Sequence, residues 1–107
     1  MAEHAIWSTF TAKPGKEAEV EAFLQECLAG IEREPGTTTF FAMRIGPGRY
    51  ATFDTMVDDA AFKAHLGGPT ANAVRARAGE LFADGFTITQ GLVLAAKRPV
   101  VNDGDAP

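Results

Sequence analysis

The sequence of 107 residues predicts an α+β domain built on an antiparallel sheet. Three observations carry that prediction. β-branched and aromatic stretches lie towards both ends of the chain, two more are joined by a short Gly-Pro turn in its middle, and helical periodicity fills the intervals between. With 46% hydrophobic and 22% charged residues, the composition is that of a folded domain and excludes a disordered or fibrous chain. A chain of this size buries roughly two-thirds of its unfolded surface, enough for one small core that gains from a partner subunit.

His4 to Ala12, HAIWSTFTA, alternates as a strand, with Ile6, Ser8 and Phe10 on one face and Trp7, Thr9 and Thr11 on the other. Each face carries an aromatic, so both faces of the strand are expected to be covered. Lys13-Pro14-Gly15 stops it, and Pro14 suits a helix start. Val20, Phe23, Leu24, Cys27, Leu28 and Ile31 then recur at spacings of three and four, the stripe of an amphipathic helix lying on a sheet. Cys27 belongs to that stripe and reads as a small core residue. Glu34-Pro35-Gly36 ends the helix, with Gly36 able to adopt a left-handed conformation.

Residues 37–45 and 50–56 read as two strands joined by Gly46-Pro47-Gly48-Arg49. Alternation alone leaves open whether Phe40 or Phe41 shares a face with Tyr50 and Asp54, because a slip of one residue reverses the answer. Asp58 or Asp59 can cap a short helix with Ala61, Phe62, His65 and Leu66 on its apolar face. After Gly67-Gly68-Pro69, Thr70 can cap a second piece carrying Val74, Ala78, Leu81 and Phe82. Asp84-Gly85 closes it, and residues 86–97 read as a fourth strand with Gly91 as a candidate bulge. The order is β-α-β-β-α-β, the split βαβ pattern of ferredoxin-like folds, over a domain of residues 1–97. The polar segment 98–107 is expected to fray. Helices cover one sheet face, while Trp7 and its neighbours leave the other greasy, so two copies are expected to pair there as a homodimer with Trp7 as an interface anchor.

The net charge of −4 argues against a nucleic-acid surface. One cysteine makes no intramolecular disulfide and lacks zinc-site neighbours, and neither a basic leader nor a membrane-length apolar run is present. A cytoplasmic protein without a membrane partner is the expectation.

Lys13-Pro14-Gly15-Lys16 after the first strand, the Glu34-Pro35-Gly36-Thr37 turn and Asp59-Ala60-Ala61-Phe62-Lys63-Ala64-His65-Leu66 together resemble the antibiotic biosynthesis monooxygenase superfamily, the dimeric α+β barrel group. The resemblance spans nearly the whole domain. It implies a homodimer whose sheets meet, a pocket in each subunit between sheet and helices, and oxidation of a quinol or polyphenol by dioxygen as co-substrate with no other cofactor. In the haem-degrading branch three positions carry Asn, Trp and a His that ligates iron. Here Ser8, His65 and Arg75 stand there, and a guanidinium cannot ligate a metal.

Oxidising a quinol without flavin or metal requires a phenolate, hence a base or a stabiliser. His65 is the candidate, because a neutral imidazole accepts a phenol proton near neutral pH. Ser8 could hydrogen-bond a substrate oxygen, Arg75 could pair with an anionic substituent, and Asp54 could orient His65 or an arginine. Phe62, Phe40 and Phe53 would supply apolar contacts for a small aromatic substrate. Each also has a plain structural reading: a satisfied helix histidine, a locally bonded serine, a solvated arginine, aromatics of a small core. His4, near the strand edge, reads as exposed and inert. Two other functions fit the same fold, a non-catalytic module binding an aromatic metabolite and, more distantly, a haem-binding or haem-degrading protein.

Overall fold

A computed structural model describes residues 3–98. The segment 99–107, most of the expected polar tail, lies outside the described residues. In chain order the elements are β1 (His4–Ala12), α1 (Glu17–Ile31), β2 (Thr37–Gly46), β3 (Arg49–Met56), α2 (Asp59–Leu66), α3 (Pro69–Leu81) and β4 (Phe82–Leu92). The four strands form one antiparallel sheet in the order β2-β3-β1-β4. This is the ferredoxin-like α+β arrangement.

The ladders settle which side chains share a face. β1 pairs Ile6 with Asp54, Ser8 with Thr52 and Phe10 with Tyr50. β3 in turn pairs Asp54 with Phe40 and Phe53 with Phe41. Side chains alternate along a strand, so Phe40, Tyr50, Asp54, Ser8 and Phe10 face the helices, while Trp7, Phe41 and Phe53 share the opposite face. Phe53 is therefore excluded from the helix side by its register. Trp7, Phe41, Met43 and Ile45 are exposed, and they leave that outer surface rich in apolar area.

Beneath α1 the core gathers Phe10, Ala12, Tyr50, Leu81 and Phe82 around Val20, Phe23, Leu24 and Cys27. Leu28 completes the sequence stripe yet is 45% exposed, because it sits at the edge where α1 overhangs β2. There the Glu21 carboxylate accepts from the Tyr50 hydroxyl at 2.7 Å and from the Arg44 guanidinium at 2.7 and 2.8 Å, tying α1 to β2 and β3.

Several local expectations are revised. Pro14 lies in the turn ahead of α1, whose N-cap is Lys16. Asp58 caps α2, its side chain accepting from the Ala61 N–H at 2.8 Å. The cap of α3 is Gly68 with Pro69 opening the helix, so Thr70 is free to pack against α1. β4 starts at Phe82, not Phe86, and ends at Leu92; its irregularity falls opposite Phe10 and Ala12, where Gly85 takes φ +73°, and Gly91 pairs regularly with Ala5. A β ladder to β1 outcompetes continued helix there because it satisfies the backbone of both strands. His4 is half-buried and stacks on Phe62 at 4.9 Å between ring centroids, which corrects its reading as an exposed bystander.

Gly36 does not adopt the left-handed region, so its role is space. A Cβ at Gly36 would lie 2.4 Å from the Ala61 Cβ and 3.3 Å from its Cα, where α2 crosses the end of α1. Gly79, inside α3, has open space around it. Gly36→Ala should destabilise the fold by about 1–3 kcal/mol through overpacking, and Gly79→Ala should stabilise it by up to about 1 kcal/mol. Urea unfolding of the two variants checks both signs.

Candidate active site

β3, the turn after α1, and α2 converge on one buried array. Asp54 projects from β3 to the helix side, His65 occupies the last turn of α2, and Glu34 stands just beyond the end of α1. His65 Nδ1 lies 2.6 Å from Glu34 Oε1, and its Nε2 lies 3.0 Å from Asp54 Oδ2. Carboxylate oxygens only accept, so a ring that donates from both nitrogens is the form that satisfies both partners. His65 is 8% exposed and Asp54 5%. Burial works against the imidazolium, but hydrogen bonds and charge from Asp54 and Glu34 outweigh it and raise the His65 pKa above its ordinary 6.5. Thr37 Oγ1 donates to Glu34 Oε1 at 2.7 Å and fixes that carboxylate. Two oxygens remain buried without a protein partner, Glu34 Oε2 and Asp54 Oδ1.

Asp54 and His65 form one side of a cavity of about 130 Å³ between sheet and helices. Ser8, Phe40 and Arg75 line it too, together with Ile6, Phe23, Leu24, Cys27, Thr52, Thr70, Val74 and Phe86. Arg75 stands at the exposed side, its guanidinium donating to the Leu66 carbonyl at 2.8 Å and to Asn72 Oδ1 at 3.0 Å. The Cys27 thiol is pushed up to about 11, first by burial and then by the charges of Glu26 and Asp54, so it stays a neutral wall group.

Five of the seven residues expected at a ligand site thus meet around one cavity. Two do not. Phe53 points to the outer sheet face, and Phe62 turns from the cavity to cover His4. Trp7 lies on the outer face as expected. Sequence reasoning treated Glu34 only as a helix end. No local signal pointed further: Glu34 lies three residues beyond the last residue of α1, and Arg33 beside it is a cation already at hand for a carboxylate at a helix C-terminus.

A sequence model of the antibiotic biosynthesis monooxygenase family matches residues 5–77. The chain belongs to this family. A solved protein of unknown function from Nitrosomonas europaea is 38% identical over 94% of this chain and 98% of its own, with a TM-score of 0.87. A candidate antibiotic biosynthesis monooxygenase from Caulobacter crescentus shares 23% identity over 88% of this chain and 92% of its own, with a TM-score of 0.78. A Mycobacterium tuberculosis protein shares 20% over 94% and 98%, with a TM-score of 0.75. At these last two identities the likeness concerns the fold alone. No curated protein matches the chain significantly. No helix among the described residues is long and apolar enough to cross a membrane.

The raised His65 pKa fixes the sign of a pH effect. Its stabilisation is complete below the unfolded value and is lost as pH rises through the folded value. Urea unfolding should show wild type losing stability above about pH 6.5 by a component that His65→Gln lacks. In a proton NMR titration Asp54→Asn should lower the His65 midpoint, because it removes one of the two carboxylates that favour the charged ring.

Proposed function

We propose that this family member is a cofactor-independent oxygenase of quinol or polyphenol-type aromatics, with dioxygen as co-substrate and His65 at the centre of the proton-accepting group. The observation that carries the reading is the buried array of Glu34, His65 and Asp54 at the wall of an apolar cavity, with Asp54 Oδ1 lacking a partner. Two carboxylates and one imidazolium sum to a net charge of −1 where little water reaches. Such a group draws a proton from a phenol placed beside it. Both nitrogens of His65 are engaged, so the phenol proton meets the Asp54 carboxylate first, and His65, itself anchored by Glu34, orients that carboxylate.

The phenolate so formed is electron-rich enough to pass an electron to dioxygen. The balance closes without an outside reductant. When one oxygen atom enters a ring C–H of a hydroquinone, the product is a hydroxyquinone and the other atom leaves as water; when none enters, the diphenol gives two protons and two electrons and dioxygen becomes hydrogen peroxide. Arg75 at the mouth offers a cation to an anionic substituent or to reduced oxygen. Ser8 and Thr52, neighbours across the β1–β3 ladder, offer hydroxyls to a second substrate oxygen.

The reading includes a homodimer. Trp7, Phe41, Met43 and Ile45 expose a contiguous greasy sheet face of the kind soluble monomers seldom leave in water. A second copy laid on it would shield that face and back the sheet that bears Asp54. Light scattering at micromolar concentration should give twice the monomer mass for wild type and a monomer for Phe41→Asp; a monomeric wild type contradicts this part.

Oxygen consumption with a panel of hydroquinones is the test of activity. Asp54→Asn and His65→Gln should each reduce kcat/KM by about 10²–10⁴-fold, and His65→Gln should also shift the pH profile. Phe62→Leu, away from the cavity, should leave the rate near wild type. Tight binding with no oxygen uptake in wild type would select a binding module instead.

A further inference from the structure

We infer that the cavity is built for a single-ring diphenol and distinguishes that reduced ligand from its oxidised quinone through Asp54 Oδ1. The inference rests on the proposed function and narrows its substrate class. Two observations carry it, the size of the cavity and the one-sided demand of its polar wall.

The cavity holds about 130 Å³. An apolar protein cavity of roughly 150 Å³ accepts benzene, so this space matches one aromatic ring and falls short of two fused rings. Its walls have little room to yield. Ile6, Ser8, Thr52 and Asp54 stand on the two central strands, each laddered on both sides. Phe23, Leu24 and Cys27 are core residues at 8% exposure or less. Forcing a second ring in would drive these side chains off their rotamers.

The polar demand is equally specific. Both His65 nitrogens are already paired, so that ring offers the ligand nothing further. Asp54 Oδ1 is a buried acceptor with no donor, an arrangement that costs free energy until an O–H or N–H reaches it. A diphenol brings such an O–H. A quinone has only carbonyl oxygens, which would face the carboxylate as one acceptor against another. The reduced ligand is held and the oxidised one is released, so turnover itself removes the bond that binds.

Anaerobic isothermal titration calorimetry tests this with hydroquinone, 1,4-difluorobenzene, which has a similar shape but no donor, and 1,4-naphthohydroquinone. Wild type should bind hydroquinone about tenfold or more tighter than either of the others. Val74→Ala, which trims the α3 wall, should raise affinity for the bicyclic ligand, and Asp54→Asn should shrink the gap between hydroquinone and difluorobenzene. Should Asp54→Asn fail to fold, the Val74→Ala comparison decides alone. Equal or tighter binding of the bicyclic diphenol, or of difluorobenzene, by wild type overturns the inference. Oxygen uptake separates the two claims: the expected binding order without oxygen consumption upholds the ligand and contradicts the catalytic reading, and faster oxygen consumption with the bicyclic diphenol overturns the ligand while the catalytic reading stands.

Discussion

One imidazolium held between two carboxylates organises this molecule. His65 joins α2 to β3 through Asp54 and to the end of α1 through Glu34, so three elements far apart in sequence are locked by a single ring. The lock is costly to disturb from one side. A buried ion pair stripped of one member leaves an uncompensated charge, a loss of about 3–5 kcal/mol. The same arrangement positions the chemistry, because the ring that bridges the two carboxylates also fixes Asp54 at the cavity wall.

Packing around the array is as economical as the array itself. Gly36 lets α2 approach the turn after α1, and Gly30 similarly leaves room for Thr70 of α3, whose hydroxyl would lie 2.2 Å from a Cβ placed there. These close approaches bring His65 within reach of Glu34 and set the cavity's roof. The sheet supplies the floor through the ladder that aligns Ile6 with Asp54 and Ser8 with Thr52. Rigid central strands below and closely apposed helices above give a space of defined size, and a defined size is what lets a binding site discriminate by shape.

Much of this was legible in the residues. Alternation in β1 located Ser8 and Phe10 on the helix side, periodicity in α1 found five of its buried residues, and the order of elements named the fold. Resemblance through the Pro-Gly turn and the Ala-Phe helix singled out His65. What escaped was long-range. The face of Phe40, Asp54 and Phe53 depended on a register that alternation leaves open by one residue. Phe62 looked like cavity lining because it shares a helix face with His65, yet α2 is short and its start lies over His4 instead. The start of β4 was misplaced because residues 82–85 carry helical spacing and a turn signal, while pairing with β1 overrode both. Glu34 belonged to no local pattern at all; only the fold shows what its charge is for.

A family fold does not by itself confer an activity, and the weight falls on whether Asp54 meets a ligand's hydroxyl group. A crystal soaked without oxygen in hydroquinone measures that contact directly. The account predicts one ring in the cavity with a phenolic oxygen within about 3 Å of Asp54 Oδ1 and the His65 ring still between its two carboxylates. A ligand bound elsewhere, or an Asp54 oxygen facing apolar ring carbons with no hydroxyl beside it, would contradict it.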